Sequence, residues 1–155
     1  MKQALCAEAI GTPFLVMTVV GSRIMADQLS GGINGLALIG NTPPTGAMSV
    51  VLITILGPVS GAHFKPAVTF TLCLAREISA PLALDYFLSR ICGTLAGTFL
   101  AHLMFELPLV QITTTNRASL PLYCAEFIAA AGLLSVILLR RAYRQSSLPL
   151  LVGLY

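Results

Sequence analysis

An all-α protein embedded in a membrane is what this sequence predicts, and three observations predict it. Of its 155 residues, 56% are hydrophobic and 10% charged, where a soluble domain carries about a quarter charged residues. The mean hydropathy is +0.87. Apolar runs of about the 20 residues needed to cross a bilayer recur along the chain. Between two of them lies a shorter apolar segment, Pro66 to Ala75, half the crossing length, behind the turn Gly61-Ala62-His63. Such a segment enters a membrane and stops inside it. Irregular backbone survives at that depth only where protein buries it or where it lines a watery cavity. Transport is therefore the first functional expectation.

Composition narrows the rest. The net charge of +3 comes from nine basic residues scattered along the chain, a placement that follows topology and points to no nucleic acid. Cys6, Cys73, Cys92 and Cys124 sit in or beside apolar runs without C-x-x-C spacing or a nearby His, so they read as small packing residues and no metal or cofactor is implied. His102 reads as an interface or packing histidine. No nucleophile–base pair appears, which argues against an enzyme. Met1-Lys2 is a thin basic start and Glu8 interrupts the apolar core that follows, so a cleaved leader is not expected.

Taken in order, the first span runs from 4 to 22, with Glu8 and Pro13 inside it. A buried acid costs several kcal/mol unless partnered, and a mid-helix proline removes a backbone hydrogen bond. Residues 26–34 read as a polar, Gly-rich loop. The second span, 33–58, is expected to break at Asn41-Thr42-Pro43-Pro44, with secure helix only from Thr45. The re-entrant half-helix 66–75 closes at Arg76-Glu77. A third span, 84–105, carries Gly93, Ala96 and Gly97 at close-packing spacing. After a loop from 106 to 120, a fourth span covers 122–139 with Glu126 near its start. Arg140 to Arg144 is the strongest basic cluster. Residues 148–155 open a fifth span. Lys2, Arg76 and that cluster fall on one side, Arg23 and Arg117 on the other, which puts the N-terminus in the cytoplasm.

Cys6-Ala7-Glu8 and Cys124-Ala125-Glu126 begin their spans alike, 118 positions apart. Three spans separate them, so the second start lies on the opposite face, the signature of an inverted repeat. Two units follow: residues 1–115 with three spans and the half-helix, and 116–155 as an incomplete second copy. A repeat counterpart of Lys65 would fall beyond Tyr155, so the chain is expected to be truncated and to encode half a pore.

Ser60-Gly61-Ala62-His63-Phe64-Lys65-Pro66-Ala67-Val68-Thr69 resembles the first signature loop of the aquaporin, or major intrinsic protein, family. Ala7-Glu8 with Gly11-Thr12 resembles its first-helix motif and Ala125-Glu126-Phe127 the fourth-helix copy. The runs from Gly32 to Gly61 and from Ala101 to Pro108 look like a bacterial branch. The resemblance implies a right-handed helical bundle of six spans, passive transport of water or small neutral solutes, tetrameric assembly and a multi-pass place in the cell (inner) membrane. It also implies that Gly61, Ala62, His63, Phe64, Lys65, Pro66 and Ala67 form the pore loop. Glu8 and Glu126 would be loop-bracing acids, and carbonyls beside His63 would line the water file.

One position departs from the pattern within the loop. The family shows Asn-Pro-Ala where this chain has Lys65-Pro66-Ala67. Pro66 suits the first helical position, but a lysine accepts no hydrogen bond and cannot cap the half-helix as Asn does. Its charge also meets the positive helix end. Lys65 is therefore expected to narrow or block a pore. With the truncation, this leaves a second expectation beside the channel: a non-conducting remnant or assembly partner.

Overall fold

The computed structural model describes residues 2–111, 118–142 and 147–155, the side chains of 140–142 excepted. Six helices follow one another: α1 (Lys2–Leu29), α2 (Asn34–Ser60), α3 (Pro66–Leu74), α4 (Ala80–Met104), α5 (Leu120–Ala142) and α6 (Leu148–Leu154). Four of them, α1, α2, α4 and the Leu120–Leu139 part of α5, are long and apolar enough to cross a membrane. The nine residues of α3 are not. The protein is an all-α, multi-pass membrane protein.

Helix α1 is the centre of the packing, between α2 on one side and α4 on the other. α3 touches α4 and α5, and α6 lies against α2 and α5. Many of the buried positions are small or polar, among them Ala7, Gly11, Thr12, Ala37, Ala83, Gly93 and Ala101, beside a few large ones such as Leu52, Leu72 and Leu133. Large apolar side chains such as Ile39, Ile55, Leu74 and Phe127 face outward. Water would forbid that inversion, but lipid tails are as apolar as leucine, and close backbone contact takes over as the packing force. On the α1–α4 seam, a Cβ on Gly97 would sit 3.1 Å from Met17 N and Pro13 Cα. A Cβ on Gly93 would sit 3.0 Å from Pro13 Cδ. Only glycine admits this approach.

Two expected breaks are absent. α2 runs unbroken from Asn34 to Ser60 with Pro43, Pro44 and Pro58 inside it. Hydroxyls flank the Pro43-Pro44 pair: Thr42 Oγ1 donates to the Leu38 carbonyl and Thr45 Oγ1 to that of Asn41, both at 2.9 Å. The Ser22 hydroxyl lies 2.7 Å from the Asn41 side-chain oxygen, joining α1 to α2. These bonds add polar contacts on either side of the proline pair, and in a bilayer no water is at hand to solvate a broken helix. α1 likewise passes through 22 and the first part of the expected loop to reach Leu29. The Arg23–Asp27 pair (2.9 Å) lies one turn apart on this extension, and the Ser30 N–H closes it on the Ala26 carbonyl. Gly31 and Gly32, both at positive φ, then reverse the chain.

The cysteines differ from expectation too. Cys6, Cys92 and Cys124 are exposed and Cys73 is half-buried, because the seams take glycine and alanine and leave sulfur to the outer faces. His102 is buried, with Nδ1 3.2 Å from the Leu109 carbonyl. Arg117 and the side chains of the Arg140 to Arg144 cluster, which carry part of the expected orientation, lie outside the described residues.

Candidate functional site

The site begins where α2 ends. Gly61 takes φ +81°, a left-handed cap, and its N–H returns to the Gly57 carbonyl at 2.9 Å. Ala62 and Phe64 also hold positive φ, +45° and +34°. Each such non-glycine residue costs roughly 1–2 kcal/mol, so contacts from outside must hold the loop in this shape.

Glu8 supplies them. Its side chain, on the buried face of α1, has no exposed surface. Oε1 accepts the Ser60 hydroxyl and the His63 N–H, each at 2.9 Å. Oε2 accepts the Phe64 N–H at 3.3 Å and Arg90 Nη2 at 3.0 Å. The Ser60 Oγ in turn receives the Ala62 N–H at 3.0 Å, and the Lys65 N–H folds back on the His63 carbonyl. Every amide from Gly61 to Lys65 is thereby satisfied, and Pro66 has none to satisfy. The carbonyls of Gly61, Ala62 and Phe64 accept no hydrogen bond among the described residues.

Helix α4 completes the frame. Tyr86 and Arg90, four residues apart, share one face. The Tyr86 hydroxyl donates to the Ser60 carbonyl at 3.3 Å, and its ring meets the His63 imidazole edge-on with centroids 5.2 Å apart. His63 is buried, with Nδ1 3.3 Å from Thr69 Oγ1 on α3. Among the described residues no group of three or more metal-ligating side chains occurs.

A cavity of about 480 Å³ borders the loop from Gly61 to Lys65. Leu15 of α1, Ile53 of α2, Leu133 of α5 and Val152 of α6 give it apolar walls. Polar groups are few: the loop backbone, His63, the Ser49 and Thr54 hydroxyls, which both donate to carbonyls of their own helix, and Lys65. Gly61, Ala62 and Phe64, whose carbonyls accept no hydrogen bond among the described residues, all border this mostly apolar cavity.

Lys65 is the N-cap residue of α3, makes no side-chain cap bond, and leads into Pro66 at the first turn. Its backbone carbonyl accepts the Val68 and Thr69 N–H groups at 3.1 and 3.4 Å. The residue is exposed and borders the cavity. Glu126 itself is exposed on α5 and makes no hydrogen bond among the described residues. The structure thus brings Glu8 to the loop by hydrogen bonds and shows no hydrogen bond or ion pair from Glu126 to it among the described residues. Pro66 and Ala67 form the first turn of α3.

Arg90 escaped the sequence reading. It lies mid-span in apolar sequence, as Glu8 does, and two opposite charges at membrane depth each need a partner. That was the available signal.

The family described as major intrinsic protein matches residues 1–155. The chain is 46% identical over 149 residues to the aquaglyceroporin AqpS of Rhizobium meliloti (strain 1021), covering 96% of this chain and 64% of that protein. It is 36% identical over 101 residues to aquaporin PIP2-1 of Arabidopsis thaliana, covering 61% and 35%. It is 34% identical over 95 residues to the lens fiber major intrinsic protein of Gallus gallus, covering 61% and 34%. The chain therefore spans between about a third and two thirds of the length of these relatives. Matched along its whole length, it belongs to the major intrinsic protein family, the aquaporins.

Proposed function

We propose that this chain is a passive membrane channel component for water or small neutral solutes, with Gly61 to Ala67 as its pore loop. The observation that carries the reading is the hydrogen-bond state of that loop. The amides of Gly61 to Lys65 are all used within the protein, while the carbonyls of Gly61, Ala62 and Phe64, residues that border the cavity, accept no hydrogen bond among the described residues and can receive donors from a passing molecule. Water and polyols carry such donors. The N-terminal end of α3 and the Lys65 ammonium both present positive charge there, which disfavours cations and protons. Glu8 braces the loop, and Glu126 answers it at the head of α5. In this reading 1–115 and 116–155 belong to two inverted repeats, the assembly is a tetramer, and the N-terminus lies on the cytoplasmic side of the inner membrane.

Lys65 favours a second reading, a non-conducting assembly partner, because an uncapped ammonium borders the cavity itself. Osmotic shrinkage of proteoliposomes containing this chain separates the two. The channel reading expects shrinkage faster than that of empty vesicles, lost in Glu8→Leu. Shrinkage equal to that of empty vesicles overturns it.

A further inference from the structure

We propose that Arg90 is a positioning residue for the pore loop, holding Glu8 in the orientation in which one carboxylate receives the amides of both His63 and Phe64. This rests on the loop reading above and adds the residue that sets the loop's geometry. The two carboxylate oxygens have different tasks: Oε1 takes Ser60 and His63, Oε2 takes Phe64 and Arg90. The α1 backbone does not fix the turn of that carboxylate about its last bond. The guanidinium does, from α4, at 3.0 Å from Oε2.

Arg90 is itself firmly placed. Gly93 and Gly97, one and two turns further along α4, seat the helix against Thr12, Pro13 and Met17 of α1. One turn earlier, Tyr86 ties α4 to the Ser60 carbonyl, and its ring centroid lies 6.0 Å from the guanidinium carbon. The loop is therefore held between two helices whose spacing cannot drift.

The unused donors argue for a geometric task. Arg90 Nε and Nη1 are buried and have no hydrogen-bond partner among the described residues. A buried polar group left in that state is unfavourable. Well-packed apolar side chains often replace a buried ion pair with no loss of stability. A pair kept only for packing gives no reason to bury a five-donor group for one bond. A pair that aims a carboxylate does.

Amide hydrogen exchange of the chain in lipid nanodiscs tests this, comparing segment 60–65 with segment 94–104 of α4. In Arg90→Gln the loop segment should exchange about tenfold faster or more while the α4 segment is unchanged. Arg90→Lys, which keeps the charge, should recover most of the protection. Loop exchange within roughly twofold of the wild type in Arg90→Gln overturns the proposal, and so does equal acceleration of both segments. Should Arg90→Gln not fold, the double variant Glu8→Gln with Arg90→Gln leaves no unpaired charge. Loop exchange there faster than in Glu8→Gln alone supports the proposal, and exchange equal to that of Glu8→Gln alone overturns it. Vesicle shrinkage of the wild type judges the channel reading separately, since the exchange comparison needs no conduction.

Discussion

A carboxylate with no exposed surface, at the centre of four hydrogen bonds, makes Glu8 the residue on which the loop depends. Breaking a buried pair from one side costs about 3–5 kcal/mol, because the partner is left charged and alone. Lys65 is the opposite case, a charge with a weak local role. It caps nothing, and asparagine is among the best residues at an N-cap, worth typically ~1 kcal/mol over a residue that cannot accept. Lys65→Asn should therefore raise the stability of the folded chain by about 1 kcal/mol in detergent unfolding and raise the shrinkage rate of its vesicles. An unchanged rate in a folded, conducting protein would show that the ammonium does not obstruct the cavity. The sequence alone exposed Glu8, since a lone acid in an apolar run is conspicuous. Arg90 is equally conspicuous, but pairing two charges 82 positions apart needs the helix rotation that only the fold supplies.

Elements in this protein are fastened by absence of side chain more than by its presence. On α4, Gly93 and Gly97 bring the backbone against Pro13 of α1. Forcing a methyl group into such a contact typically costs 1–3 kcal/mol. Gly97→Ala should destabilise the fold by about that amount in thermal unfolding in detergent, while Leu95→Ala, on an exposed position of the same helix, should stay within about 0.5 kcal/mol. Equal effects at the two positions would remove the special role of the seam. Small-residue spacing made this seam legible in sequence. The unbroken course of α2 was not, because the rule that proline ends a helix is learned in water. Around Pro43 and Pro44 the threonine hydroxyls and Ser22 provide local polar contacts, and in a bilayer a broken helix has no water to turn to. The half-helix α3 was legible with nearly its observed bounds, since Pro66 at the first turn and the Arg76-Glu77 turn mark both its ends.

For the whole molecule, the decisive question is which side of the membrane each turn faces. α1 and α2 cross in opposite directions, and α3 is too short to cross. If α3 is re-entrant, it returns the chain to the side that α2 approached. The turn at 30–33 then lies opposite both the N-terminus and the turn at 76–79. On that course Lys2 and Arg76 fall on one side and Arg23 near the other, the basic bias behind the proposed cytoplasmic N-terminus. In a chain whose four native cysteines are replaced by serine, Ile33→Cys, at an exposed position of that turn, should react with a membrane-impermeant maleimide in intact spheroplasts. Ser79→Cys should react only after permeabilisation. Reaction of both from outside would mean that α3 passes through to the far face, and the loop from Gly61 to Lys65 would then sit at no membrane depth where its carbonyls could meet a file of water. Reaction of Ser79→Cys alone would keep the re-entrant course and invert the orientation. The labelling pattern thus tests the topology on which the transport reading depends, whatever the permeability of the chain itself.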